Sequence, residues 1–122
     1  MKILIIDDNH ETSQLVAEYL NSVGYDTTAI TDPVDSFELI KSCFWDAVIC
    51  DIEMPKIKGT DLIKVLKETS PDTKMFMLSG NINLGSKGET YKYVEAFLEK
   101  PMGLFKINHF LDCHLKSKKK SA

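Results

Sequence analysis

The sequence lacks the features that mark secreted and membrane-spanning chains. Its three cysteines form an odd, widely spaced set that matches neither a disulfide framework nor a Cys-x-x-Cys pair, which indicates a reducing compartment. No apolar run approaches the roughly 18 residues of a membrane span. The apolar start, Ile3 to Ile6, is also too short for a signal peptide. We therefore expect a cytoplasmic protein without a membrane partner.

An excess of positive charge is also missing. The formal net charge is -3, and the basic residues cluster only in the tail, 116–122. A domain that binds nucleic acid is usually basic, so we expect no direct nucleic-acid partner. The tail is interpreted as a solvated helix end, because cations suit the negative pole of a helix dipole.

The length and composition predict one domain over residues 1–122. Hydrophobic residues make up 43% of the 122 residues, enough for a core without disulfides or a structural metal. Short apolar runs alternate with amphipathic stretches, and this alternation predicts right-handed crossovers and a parallel sheet. We expect a doubly wound, flavodoxin-like α/β fold of five strands with helices on both faces. The predicted strands are 3–6, 26–31, 47–50, 74–78 and 96–98.

Helical spacing of apolar residues predicts the elements between the strands. The first helix, 10–23, is expected to place Leu15, Tyr19, Leu20 and Val23 near one face. The second is predicted to run from Pro33 through Phe44, the third to include 62–66, and the last to include 104–115. Segment 81–93 contains two glycines, each costing about 1 kcal/mol in a helix, so its helix is expected to be short, late-starting or mobile.

Polar groups follow four of the predicted strands. The first strand runs into Asp7 and Asp8, the third into Asp51, the fourth into Ser79 and the fifth into Lys100. The carboxyl ends of parallel strands share one edge of a sheet, where ligands bind. We therefore expect three carboxylates, one hydroxyl and one ammonium group in a small space.

Three neighbouring carboxylates repel each other, and a divalent cation removes that conflict. Magnesium is expected, with manganese as a substitute, because it prefers hard oxygen ligands. An aspartate can act as a nucleophile and form an aspartyl-phosphate. A lysine at the same edge would pair with the phosphoryl oxygens. The pattern therefore predicts phosphoryl chemistry.

These motifs resemble, over nearly the full chain, those of the receiver domains of bacterial response regulators. The matching residues, in chain order, are Asp7-Asp8, Asp51 to Pro55, Gly59, Ser79 and Lys100-Pro101. The resemblance implies a single-domain response regulator that is phosphorylated by a sensor histidine kinase or a phosphotransfer protein. It would signal by conformational change to an unknown downstream protein. It would not be an enzyme, apart from self-catalysed phosphorylation and dephosphorylation.

The resemblance also implies a role for each matching residue. Asp51 would be the phospho-acceptor, with Ser79 and Lys100 in contact with the phosphoryl group. The metal ligands would be Asp7, Asp8, Asp51 and the backbone carbonyl of Glu53. Ser79 and Phe97 would form the switch, although a phenylalanine in a strand is also typical of a core. We further hypothesise that the charge of Glu53 alters the lifetime of the phosphoryl group.

Three other functions remain open. The chain could be a degenerate receiver that acts only as a protein-interaction module. It could be a small aspartyl-phosphate phosphatase of the haloacid dehalogenase type, which typically needs an aspartate where this sequence has Glu53. It could be a flavodoxin-like flavin binder, although Asp7 and Asp8 would repel the flavin phosphate.

The histidines and cysteines do not indicate a further site. His109 and His114 are five residues apart, which is not the three-or-four spacing of two ligands on one helical face. Cys43, Cys50 and Cys113 are interpreted as small core or surface residues rather than redox sensors.

Overall fold

A computed structural model describes residues 1–51, 59–79, 94–99 and 103–116. The strands are β1 (Lys2–Ile6), β2 (Asp26–Ile30), β3 (Ala47–Asp51), β4 (Lys74–Ser79) and β5 (Ala96–Glu99). The helices are α1 (His10–Ser22), α2 (Pro33–Ser42), α3 (Gly59–Thr69) and α4 (Leu104–Leu111), and α4 continues into a π-helical turn, Asp112–Lys116. The helix expected within 81–93 and the tail beyond residue 116 lie outside these ranges.

The strands form one parallel sheet in the order β2-β1-β3-β4-β5. This order confirms the predicted doubly wound fold. The chain leaves β1 toward β2 on one side and returns to β3 on the other, which creates a crevice at the carboxyl ends of β1 and β3.

Both faces of the sheet are buried. Along β1, Ile3 and Ile5 belong to a core shared with α1 and α4, whereas Leu4 and Ile6 belong to a core shared with α2 and α3. The alternation follows from the two-residue period of a strand. Each fully buried side chain of this size stabilises the fold by roughly 1.5–3 kcal/mol. A strand that is buried on both faces is therefore apolar at every position, as the run 3–6 is.

The predicted buried face of α1 is partly wrong. Leu15 is 55% exposed and Val23 is 40% exposed, whereas Val16, Ala17 and Leu20 are buried. Residues 13, 16, 17 and 20 have the spacing of one helical stripe, and this stripe packs on the sheet. Position 15 lies outside that stripe and faces away from the core.

The predicted extension of α2 through Phe44 is also wrong, because the helix ends at Ser42. Cys43 is extended, and Phe44 is 54% exposed. Trp45 is buried instead, and its indole N–H donates to the Leu39 carbonyl at 2.8 Å. This bond satisfies a carbonyl of the last helical turn, and Trp45 rather than Phe44 packs into the core after the helix.

Two side-chain contacts fix the π-helical turn after α4. The Tyr25 hydroxyl donates to the Asp112 carboxylate. The pKa of Tyr25 is raised, mainly by burial and to a smaller extent by this hydrogen bond. His114 Nδ1 lies 2.8 Å from a carboxylate oxygen of Glu95, whose other oxygen lies 3.0 Å from Lys74 Nζ. Asp112 and His114 are therefore each held to a different part of the domain.

Among the helices that the structure describes, none combines the length and hydropathy needed to span a bilayer.

Candidate functional site

The sheet register places two aspartates side by side. Ile6 of β1 is the partner of Cys50 in β3, and Asp7 and Asp51 are the next residues of their chains. The Asp7 N–H donates to the Ile30 carbonyl at 3.2 Å, so the backbone at this edge remains paired with β2. Both aspartates therefore lie at the carboxyl edge of the sheet, at the crevice between β1 and β3.

The side chains of Asp7, Asp8 and Asp51 converge at this edge. Each offers a carboxylate oxygen, and these oxygens all lie within 4.8 Å of one another. Asp7 is 2% exposed and Asp51 is 3% exposed, whereas Asp8 is exposed to solvent. The cluster thus consists of two buried carboxylates and a third carboxylate that is exposed to solvent.

Asn9 fixes the loop that carries two of these acids. Its backbone N–H donates to Asp7 Oδ1 at 3.0 Å, and its side-chain oxygen accepts the Thr12 N–H at 3.1 Å as the N-cap of α1. The cap satisfies a free N–H of the first helical turn, and the positive pole of the helix favours nearby carboxylates. Sequence reasoning missed Asn9 as a positioning residue, although an asparagine directly before a helix was a usable signal.

The cluster fits a hard divalent cation. Carboxylates are the ligands that Mg²⁺ prefers, and it commonly uses one or two of them together with water. Like charges this close together repel each other, and a cation bound among them would offset that repulsion. In the part of the chain with described coordinates, this is the one group of three such side chains that converge.

The other predicted site residues are placed only in part. Ser79 ends β4 one residue after Leu78, the register partner of Asp51, and pairs with Glu99 in β5. Its backbone therefore reaches the same edge. Lys100 directly follows Glu99 but lies outside the described residues, as does Glu53, so the roles of both stay predictions.

Phe97 lies in β5, opposite Met77 of β4. It is half-buried and packs against the core between the sheet and the helices α2 and α3. This position is compatible with a core residue and with a switch residue.

Comparison with known proteins identifies the fold family. The family model of the response regulator receiver domain matches residues 3–112. The chain belongs to this family. Receiver domains take a phosphoryl group from histidine kinases or phosphotransfer proteins and bind Mg²⁺, and this chain has an acidic cluster at the carboxyl edge of its sheet.

The receiver is similar to a segment of the autoinducer 1 sensor kinase/phosphatase LuxN of Vibrio harveyi. The two are 31% identical over 109 residues, which cover 89% of this chain and 13% of LuxN. The chain thus corresponds to a small part of that protein.

Two solved structures share the receiver fold. The Francisella response regulator 1452 receiver domain has a TM-score of 0.83 at 25% identity, covering 96% of this chain and 98% of that one. The response regulator protein TrrA from Thermotoga maritima, in complex with Mg²⁺-BeF, has a TM-score of 0.80 at 22% identity, covering 91% of this chain and 96% of that one.

Proposed function

We propose that this receiver domain accepts a phosphoryl group on Asp51 in a Mg²⁺-dependent reaction, with Mn²⁺ as a substitute ion. The donor is the phosphohistidine of a sensor kinase or a phosphotransfer protein in a reducing cytoplasm. We also propose that the chain acts as a single-domain regulator and signals by contact with another protein. Its main support is the convergence of three carboxylates within 4.8 Å in a chain of the receiver family.

The proposed step is a transfer between two nucleophiles. A carboxylate oxygen of Asp51 forms a bond to phosphorus, the bond between phosphorus and the donor imidazole nitrogen breaks, and the imidazole keeps the electron pair. Asp51 ends β3, whose five residues are all buried and paired with β4, while the four residues before Asp51 are also paired with β1. A fixed backbone holds the nucleophile in place, which lowers the entropic cost of reaching the transition state.

The proposed metal ligands are Asp7, Asp8 and Asp51, with the backbone carbonyl of Glu53. When bound, the ion supplies positive charge that neutralises the phosphoryl oxygens. Asp7 is oriented by the Asn9 N–H, whereas Asp8 is exposed to solvent. We assign Asp8 to direct binding and Asp7 mainly to binding through water.

The proposed output is a change of conformation. A phosphoryl group adds close to two negative charges, which would draw the Ser79 hydroxyl and the Lys100 ammonium group toward Asp51. Because Ser79 ends β4 and Phe97 lies in the adjacent β5, such a movement would be felt along the β4–β5 edge. A near-complete switch needs about 5.5 kcal/mol of differential stabilisation between the two states.

The test is phosphorylation of the purified chain with acetyl phosphate, with and without Mg²⁺, read by intact-protein mass. We expect one added phosphoryl group that requires the metal and is absent in Asp51→Asn. Asp61→Asn, which removes an exposed carboxylate of α3, is the matched control and should be modified like the parent. Modification of Asp51→Asn at the parental level would overturn the assignment.

The same samples test for enzymatic activity. We propose that the chain is not a phosphatase for small phosphate esters, so multiple turnovers of such a substrate are not expected. Sustained turnover that is lost in Asp51→Asn would instead assign the site to a phosphatase.

A further inference from the structure

A second pair of metal-ligating side chains lies on the C-terminal helix. His109 in α4 and Cys113 in the π-helical turn are both exposed, and His109 Nε2 lies 3.6 Å from Cys113 Sγ. Cys113 is not in a disulfide. Neither residue belongs to the acidic cluster, so the pair requires an explanation of its own.

The separation of the two atoms matches that of two ligands on one metal ion. Zinc binds sulfur at about 2.3 Å and imidazole nitrogen at about 2.0–2.1 Å, and tetrahedral angles then place nitrogen and sulfur about 3.5 Å apart. The observed 3.6 Å is within about 0.1 Å of that value. The two atoms are therefore close enough to bind one ion together.

The backbone around Cys113 is held on both sides. Its preceding neighbour, Asp112, accepts the hydrogen bond from Tyr25, and its following neighbour, His114, contacts Glu95. Leu115 is buried in the core. These anchors restrain the backbone of Cys113, which lowers the cost of ordering this ligand when an ion binds.

We propose that His109 and Cys113 form a bidentate site for a borderline-soft divalent cation of the zinc class. Imidazole and thiolate favour such ions, whereas the carboxylates of the acidic cluster favour Mg²⁺. Across the described ranges, no third histidine, cysteine or carboxylate converges with this pair. Water completes the coordination, and the site binds one ion per chain.

The test uses Co²⁺ as a spectroscopic probe of the full chain, with the thiols reduced and with excess Mg²⁺ to occupy the acidic cluster. We expect a thiolate-to-cobalt charge-transfer band that saturates at one ion per chain. Cys113→Ala should abolish the band. His109→Ala should weaken Co²⁺ binding at least tenfold, because one ligand of the chelate is lost.

Two controls separate this site from other groups. Cys43→Ala removes another exposed thiol, and Asp51→Asn changes the acidic cluster, so both should keep the band and the affinity. Because positions 43, 109 and 113 are exposed, their variants should fold, which circular dichroism can verify. The proposal is overturned by the absence of a charge-transfer band, by parental affinity in His109→Ala, or by loss of the band in Cys43→Ala.

Discussion

Asp7 and Asp51 stand next to each other because their preceding residues, Ile6 and Cys50, are register partners in adjacent parallel strands. The register alone therefore brings together two carboxylates that are distant in the sequence. Their side chains are almost completely buried, and the exposed Asp8 completes the group. This arrangement leads to predictions about metal binding, folding and pH.

Removing the charge of Asp8 should weaken Mg²⁺ binding about tenfold, which corresponds to about 1.4 kcal/mol. The Asp8→Asn side chain keeps its shape but attracts the ion less, and the position is exposed, so the fold should be unaffected. Isothermal titration measures the affinity, with Asp35→Asn in α2 as the control. Equal affinities of parent and Asp8→Asn would exclude Asp8 as a direct ligand.

Mg²⁺ should stabilise the folded domain, since an ion that binds only the native state adds about 2.7 kcal/mol at 100 times its Kd. The stabilisation should be smaller in Asp8→Asn at the same Mg²⁺ concentration. Without metal, Asp8→Asn should be more stable than the parent, because the variant carries less repulsion between carboxylates. Urea unfolding with and without Mg²⁺ checks both statements, and parallel responses of the two proteins would contradict them.

Asn9→Ala should destabilise the domain by about 1 kcal/mol, because α1 loses its N-cap. It should also reduce Mg²⁺ affinity, since the capped loop holds the N–H that orients Asp7. Asn9→Ser retains a capping oxygen and is the matched control. A loss of stability with unchanged Mg²⁺ affinity would restrict Asn9 to a role in folding.

The contact of Glu95 with His114 and Lys74 should make stability depend on acidic pH. Burial raises the pKa of Glu95. The contacts with His114 and Lys74 lower this pKa by more than burial raises it, so the net pKa is below its ordinary value. The folded state thus favours the carboxylate. The resulting stability is present above the unfolded-state pKa and is lost as pH falls through the folded-state pKa.

The measurement compares urea unfolding of the parent and Glu95→Gln at neutral and at acidic pH. We expect the parent to be more stable at neutral pH by less than about 1 kcal/mol, because the contact is partly exposed. The difference should shrink in acid. A difference that stays constant with pH would assign the effect to packing instead.

The prediction for Glu53 is based on the sequence alone, because this residue lies outside the described residues. Its charge near the acceptor is expected to alter the lifetime of the phosphoryl group. The rate of dephosphorylation of Glu53→Gln is compared with that of the parent, both labelled with acetyl phosphate. Identical rates would remove the hypothesis.

The central strands β1 and β3 were predictable from the sequence because both of their faces are buried. The run 3–6 is apolar at every position, and it forms β1 with its side chains in two cores. Strand ends then located Asp7 and Asp51, since parallel strands share one carboxyl edge. The fold and the acidic edge thus follow from local patterns and a general rule of topology.

Other features depend on tertiary contacts and were not predictable. Leu15 has the composition of a core residue but lies outside the stripe of α1 that meets the sheet. The end of α2 depends on the bond from Trp45 to Leu39, which periodicity does not indicate. By contrast, His109 and Cys113 are four residues apart, a spacing that places two side chains on one helical face, so their proximity was predictable from the sequence.

Trp45 is the sole tryptophan of the chain, and it lies just before β3, the strand that ends at Asp51. The residues of β3 rise about 3.3 Å each, so Asp51 lies roughly 13 Å along the strand from Ala47, and Trp45 lies two residues before Ala47. The intrinsic fluorescence of Trp45 should therefore change on unfolding but change little when a metal or a phosphoryl group binds at the carboxyl edge. A dye or a fluorine label near that edge is needed to monitor occupancy optically.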